Sequence, residues 1–435
     1  MTEQIERAAI KKIARRLLPF AFLLYFLSLI DRVNLSFAAL TMNKDLGFTP
    51  YAYGVGAAIF FVGYIGFEIP SNLILERIGA RIWISRIMIS WGIVSAAMAL
   101  IVGTKTFYVV RFLLGVAEAG LFPGMITYLT YWFPATYRAR VNGALMLAIP
   151  VSGAIGAPVA TSLLRLNGVW SLTGWQWLFI LEGLPTVIVG FFVLKYLTDR
   201  PAHATWIAPE EKEWLETTLK RERDEIETVH RRFSLWRGLA DPRVLALCAV
   251  YFGIGTTSYG TSYFLPQIIK GWGLSNSSVG WVAGFPPLIS TIGMIIWVYW
   301  ADRSGSRPTS LVAAFLLATL GLVLLGFFST SGWSVIAMVM VAVGIDSARP
   351  LFWTLPPTFL SRVAAAGAIA LISCFGNLGG IVGPVMIGWV KTVSNHFAGG
   401  LFFLAIWTLL AAAILIVIGA RFARVDDGNR DVARV

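Results

Sequence analysis

Glu76-Arg77-Ile78-Gly79-Ala80-Arg81 closes one long apolar run with the pattern acid-Arg-x-Gly-x-Arg, and 226 residues further on Asp302-Arg303-Ser304-Gly305-Ser306-Arg307 repeats it. The same offset lays Gly153-Ala154-Ile155-Gly156-Ala157-Pro158-Val159 onto Gly379-Gly380-Ile381-Val382-Gly383-Pro384-Val385. One match of this length is weak. Two at a single offset describe a duplicated chain, so each half is expected to fold as a copy of the other.

The material between the repeated segments says what is duplicated. Of 435 residues, 57% are hydrophobic and 13% charged, whereas globular domains carry about 25% charge. Apolar runs of about 20 residues recur from end to end, so lipid is the solvent for most of the surface. With Gly, Pro and charge clusters as breaks, helices are predicted near 17 to 40, 52 to 75, 82 to 103, 107 to 133, 143 to 166 and 174 to 197, then 243 to 268, 278 to 301, 308 to 329, 333 to 357, 364 to 390 and 397 to 422. The first run follows Arg7, Lys11, Lys12, Arg15 and Arg16 and could pass for a secretory leader. No small-x-small cleavage site follows it and Asp31-Arg32 interrupts it, so it reads as a first spanning helix.

The expected fold is therefore an all-α membrane protein of twelve transmembrane helices in two pseudo-symmetric six-helix bundles, residues 1–197 and 243–422. A charged linker, 198–242, joins them and a tail, 423–435, follows. Arg77, Arg81, Arg138, Arg140, Arg303, Arg307, Arg362, Arg421 and Arg424 fall on one side of this arrangement. The other side receives Lys44, Lys105, Arg165, Lys270 and Lys391. By the positive-inside rule both termini are cytoplasmic, in a multi-pass inner-membrane protein. The net charge of +12 is thus topology and calls for no nucleic acid. The linker, with Glu210, Glu211, Glu213 and Glu216 against Lys220, Arg221 and Arg223, is expected to be solvated and helical in part.

Enzymatic chemistry finds no support. Cys248 and Cys374 lie inside apolar runs and His203, His230 and His396 have no ligand spacing, which argues against a disulfide scaffold or a zinc site. Neither His-Glu-x-x-His nor a Gly-x-x-x-x-Gly-Lys-Ser/Thr phosphate loop is present. No metal or cofactor is expected, and a sensor's appended signalling domain has no room in one modest loop and two tails.

Function is expected where lipid should have forbidden charge. Asp31, Arg32, Arg111, Glu118, Asp346 and Arg349 fall within predicted spans, each costing at least about 2.5 to 3.5 kcal/mol if it faced lipid at mid-helix. They must face the interior. Arg111 and Glu118 are two turns apart on one helix face, and depth along the helices lets both converge with Asp31. Two readings stand for these three: a structural ion pair of Asp31 with Arg111 plus a packing acid, or acids that titrate while Arg111 or a substrate anion moves. Arg32 points about 100° away from Asp31 around the helix, and its fork of donors suits a carboxylate. Asp346 and Arg349, spaced i,i+3, can pair with each other, or Arg349 can supply a second anion contact.

The acid-Arg-x-Gly-x-Arg loops resemble the cytoplasmic gate motif of the major facilitator superfamily. More narrowly, Ile30-Asp31-Arg32-Val33-Asn34-Leu35, Arg111-Phe112-Leu113-Leu114-Gly115 with Glu118-Ala119-Gly120 and Pro123-Gly124, and Gly376-Asn377-Leu378-Gly379-Gly380 resemble its anion:cation symporter family. Pro70-Ser71-Asn72 and Trp175-Gln176-Trp177-Leu178-Phe179 before Glu182 fit too. The resemblance implies proton-coupled symport of a small organic carboxylate such as tartrate or a related hydroxy or sugar acid. It also implies alternating access, a substrate site between the halves near mid-membrane, no cofactor beyond the proton gradient, and a monomer. It assigns proton coupling to Asp31, Glu118 and Arg111, and substrate contact to Arg32, Tyr64, Tyr259, Trp353, Ser373 and Asn377. The gate would comprise Glu76, Arg77, Gly79, Arg81, Asp302, Arg303, Gly305 and Arg307. Relatives commonly show an Asn where this chain has Ser373. The rival is a proton-driven antiporter exporting a drug or metabolite. That family's fifth-helix signature ends in Gly-Pro and a glycine pair, which Ala157-Pro158-Val159-Ala160 breaks.

Overall fold

The computed structural model describes residues 2–230, 241–304, 306–328, 331–356 and 362–432. Among them, twelve helical stretches are long and apolar enough to cross a membrane. In chain order the helices are α1 (Thr2–Asp45), α2 (Pro50–Ile78), α3 (Ala80–Ala97), α4 (Thr104–Glu118), α5 (Leu121–Thr130), α6 (Ala135–Met146), α7 (Ala148–Leu163), α8 (Gly174–Tyr196) and α9 (Pro209–His230). They continue as α10 (Pro242–Lys270), α11 (Asn276–Ser304), α12 (Arg307–Phe328), α13 (Ser334–Phe352), α14 (Arg362–Ser394) and α15 (Ala398–Val432). The fourth span is α4 with α5, the fifth α6 with α7, and α9 is the extra helix between the sixth and seventh spans.

In a water-free core only a helix satisfies its own backbone, so the apolar runs are helical, the fourth with a break at Ala119-Gly120. Prolines sit inside several spans, among them Pro19, Pro185 and Pro384, where neighbouring helices tolerate them. The outward surface is apolar, with Leu100, Val102, Phe327 and Ile69 well exposed, while Asp31, Arg111, Glu118 and Glu182 are buried. That inversion of a soluble protein is what a lipid solvent requires.

The chain falls into two compact units. One comprises Met1–Gly47 and Ile59–Arg232, the other Phe48–Ala58 and Phe233–Val435. The first two turns of α2 count with the second unit because glycines let the backbones meet: a Cβ at Gly54 would overlap the Pro384 carbonyl oxygen, and one at Gly388 that of Pro50. Tyr53 Oη also donates to the Tyr263 carbonyl at 2.9 Å. Inside the first unit α3 and α8 pack across Gly92 and Gly183, each meeting the other's carbonyl oxygen. Such seams replace the hydrophobic drive that lipid removes between helices.

Two elements extend beyond the expected spans. The predicted first helix begins at residue 17, yet α1 starts at Thr2, because Ala9, Ile13 and Leu17 repeat at i,i+4 and are buried as one face. The charged stretch expected as a solvated linker holds α9, whose Leu215 and Leu219 are buried. Lys12 Nζ bonds Glu211 Oε1 at 2.8 Å, Arg138 Nη2 bonds Glu222 Oε2 at 2.9 Å, and Trp206 stacks on Trp132 with ring centroids 5.2 Å apart. A run of both signs can therefore dock, since opposite charges lie ready on α1 and α6 and two leucines one turn apart supply an apolar stripe.

Candidate functional site

The fourth span breaks where its motif ends. Gly120 has φ +86° between α4 and α5, and a side chain there would meet Ser71 on α2. Only glycine takes that backbone without strain. The break leaves Glu118 at the last residue of α4, fully buried. Its Oε1 accepts from Arg32 Nε at 2.8 Å and from Ser28 Oγ at 2.8 Å, both on α1. Arg32 keeps 18% of its side chain exposed and lies over the Tyr64 ring, 4.9 Å from its centroid. Glu68, one turn further along α2, adds a second negative charge near that guanidinium.

Asp31 is held differently. Its Oδ2 accepts from Trp91 Nε1 at 2.7 Å, and its Oδ1 accepts from Asn34 Nδ2 at 2.9 Å and from Ser95 Oγ in a short bond. All three donors are neutral. Arg111, 1% exposed, lies over the Phe60 ring, 4.9 Å from its centroid, and with Glu118 it contributes to the field at Asp31. The sequence brought Asp31, Arg111 and Glu118 to one region, and the structure does so. The close ion pair there is Arg32 with Glu118, while three neutral donors from α1 and α3 hold Asp31.

In the second unit Asp346 and Arg349 sit one turn apart on α13 at 3.5 Å, and Asp346 Oδ2 accepts from Ser290 Oγ at 2.7 Å. Arg349 Nη2 also donates to Ser258 Oγ on α10 at 3.1 Å. Tyr259, the next residue, is half-buried. Trp353 caps the end of α13 and packs on Tyr251, with centroids 4.8 Å apart. Ser373 and Asn377 are half-buried one turn apart on α14. The glycines flanking Asn377 pack against α10, where a Cβ at Gly255 would overlap the Gly376 carbonyl and one at Gly379 the Thr256 backbone. The Gly376 to Gly380 motif is thus a packing seam on one side and offers Asn377 on the other.

Of the gate residues, Gly79 has φ +95° and leads into α3, whose Arg81 amide donates to Asp199 Oδ1 at 2.7 Å. The Arg81 guanidinium reaches the same acid at 4.0 Å. Glu76 and Arg77 are exposed. In the second copy Arg307 Nε bonds Asp302 Oδ1 at 2.8 Å and Arg303 donates to Tyr299 Oη at 3.2 Å. Gly305 lies outside the described residues. No cluster of three or more metal-ligating side chains is found among the described residues.

The profile of the Major Facilitator Superfamily matches residues 21–384 and again 247–432. The chain belongs to the major facilitator superfamily. A protein of Agrobacterium vitis provisionally named a tartrate transporter is 48% identical over 97% of this chain and 93% of its own length. A quinolone resistance transporter of Acinetobacter baumannii is 38% identical over 96% of each. A solved bacterial homologue of the human lysosomal transporter Spinster superposes with a TM-score of 0.77 at 16% identity, covering 95% of this chain and 98% of that one. The tartrate-named relative is consistent with the anion:cation symporter resemblance, and the protein is a multi-pass membrane transporter rather than an enzyme.

Three acids of this major facilitator protein, Glu68, Glu182 and Asp199, join the sites beyond the residues that its motifs point to. Asp199 follows the sixth span, and its role at the start of α3 follows only from where the chain returns. Glu68 and Glu182 carried a legible signal, an ionisable residue inside an apolar run.

Proposed function

We propose that this protein is a proton-coupled symporter that takes up a small organic carboxylate, such as tartrate or a related hydroxy or sugar acid, by alternating access across the inner membrane. The observation that carries the reading is Arg32. It is bonded to the buried Glu118 and still partly exposed over Tyr64. A substrate carboxylate can take the place of the Glu118 carboxylate on this guanidinium, because one fork of donors suits either anion. Glu118, deprived of its cation in a water-free setting, then takes a proton, since a buried carboxylate without a partner is far costlier than the neutral acid. Anion and proton enter together, and neither charge is left unpaired. The proton gradient is the energy source, no cofactor takes part, and the protein acts as a monomer with both termini in the cytoplasm. The name of the 48% identical relative supports an acid of the tartrate class as cargo.

A second reading, a proton-driven antiporter exporting a drug, is favoured by one observation, the name of the Acinetobacter relative. Proteoliposomes separate the two. With an inward proton gradient, radiolabelled tartrate should accumulate and dissipating the gradient should abolish accumulation. A quinolone that moves against the proton flow while tartrate stays outside would replace symport with export.

A further inference from the structure

The proposed mechanism leaves one buried acid unused. Glu182 lies on α8 with 8% of its surface exposed, and neither carboxyl oxygen has a hydrogen-bond partner. Asp31 and Asn34 of α1 face it; one hydrogen of the Asn34 amide goes to Asp31 Oδ1 at 2.9 Å, and the other is a neutral donor within reach of Glu182. Among the described residues, no compensating cation approaches from the other elements packed on α8. Beside Glu182, Gly183 meets Gly92 and Ala96 of α3. The basic residues of α3 are at its other end, Arg81 on Asp199 and Arg86 over the Trp83 ring at 4.5 Å. α7 has no ionisable residue. The turn bearing Arg165 meets α8 at Gly174, about 12 Å along the helix from Glu182.

Charge accounting points the same way. Within the spans of the first unit, Asp31, Glu118 and Glu182 are nine-tenths or more buried, against the guanidiniums of Arg32 and Arg111. Arg32 is bonded to Glu118 and Arg111 acts on Asp31. The third acid has no cation. A carboxylate removed from water with one neutral amide beside it, no cation and another anion nearby is strongly disfavoured relative to the neutral acid.

We infer that Glu182 holds a proton in this state of the protein and, with Asp31 and Asn34, forms a second proton-binding site behind the Arg32–Glu118 pair. The inference rests on the symport reading only for what the proton is used for. The site itself follows from burial and bonding. If Glu182 ionises, the groups that answer are the second hydrogen of the Asn34 amide, which can serve both acids at once, and Asp31, which can take up the proton.

Infrared spectroscopy of the purified protein in lipid, without substrate, tests this directly. A protonated buried carboxyl shows a carbonyl-stretch band separate from ionised carboxylates, and titrating the sample with base should convert it. We expect wild type to show the band at neutral pH, Glu182→Gln to lose it, and Glu182→Asp, which keeps the carboxyl, to regain a band at a displaced frequency. Labelling the wild type with 13C-glutamate should move the band, which assigns it to a glutamate even if Glu182→Gln fails to fold. Absence of the band in wild type, no movement on glutamate labelling, or an unchanged band in Glu182→Gln would overturn the proposal. The measurement involves no transport, so a protein that holds this proton yet does not couple protons to uptake would overturn the symport reading alone.

Discussion

Arg32 and Asp31 are adjacent, and their neighbours differ in kind. Arg32 binds a carboxylate through Nε while its guanidinium plane covers Tyr64. A lysine in its place offers one point charge, with neither the planar fork nor the stacking. Arg32→Lys should weaken binding of the preferred acid by about tenfold to a hundredfold, the equivalent of losing one charge-assisted hydrogen bond of about 1.5 to 3 kcal/mol. Isothermal titration reads this, and wild-type affinity in the variant would remove Arg32 from the site. The two acids should also separate. Glu118→Gln retains an acceptor for Arg32 and Ser28, so binding and counterflow exchange should survive while pH-driven accumulation is abolished. Asp31→Asn turns an amide donor toward Trp91, Ser95 or Asn34, which already donate. A mismatched buried donor costs about 1 to 3 kcal/mol, so this variant should also melt earlier than Glu118→Gln in a thermal-unfolding series. If both variants still concentrate substrate with wild-type pH dependence, proton coupling through these residues is wrong.

Among the elements, α10 begins as its sequence dictates. Asp241 is the N-cap, Pro242 follows it, and the Asp241 side chain accepts the Arg243 amide at 2.8 Å. The Arg243 guanidinium bonded to the same acid holds its carboxyl below the usual carboxylate range. An acid with a depressed folded pKa adds stability at pH values above its unfolded pKa and loses it as pH falls through the folded one. Asp241→Ala should therefore destabilise the first turn of α10 by about 0.5 to 1 kcal/mol at neutral pH, at the lower end for lost caps. The difference from wild type should vanish on acidification. Amide exchange at residues 243 to 246 measures it, and a pH-independent difference would mean that the proline and not the carboxyl starts the helix. α9 teaches the opposite lesson. Composition alone reads it as solvent-facing charge, yet Leu215, Leu219 and the ion pairs to Lys12 and Arg138 dock it.

At the scale of the molecule, duplication of the fold has not duplicated the chemistry. Among the described residues, the charged side chains buried within spans are Asp31, Arg111, Glu118 and Glu182, all in the first unit. The Asp346–Arg349 pair of the second unit keeps 26 to 30% of its side chains exposed. Under the proposed symport, the proton chemistry would belong to the first copy. A ligand that binds only the folded protein stabilises it by about 2.7 kcal/mol at a hundred times its Kd. In a thermal-shift screen tartrate and related hydroxy acids should raise the melting temperature of the whole protein and a quinolone should not. The reverse ranking would favour export.

Twelve spans, a duplicated chain and a set of charged residues that cannot face lipid were legible in the sequence, because hydrophobic length, repeat offset and the cost of buried charge are properties of the chain order alone. Partner choice was not. Whether Asp31 meets Arg111 or three neutral donors depends on how α1, α3 and α4 rotate against one another, and a few tens of degrees about a helix axis exchanges one neighbour for another. The same holds for Asp199 at the start of α3 and for Glu182 behind Asp31, each brought to its place by a helix distant in sequence. Chain order determined which charges must be buried, and the packing of glycine-lined helices decided which of them are compensated.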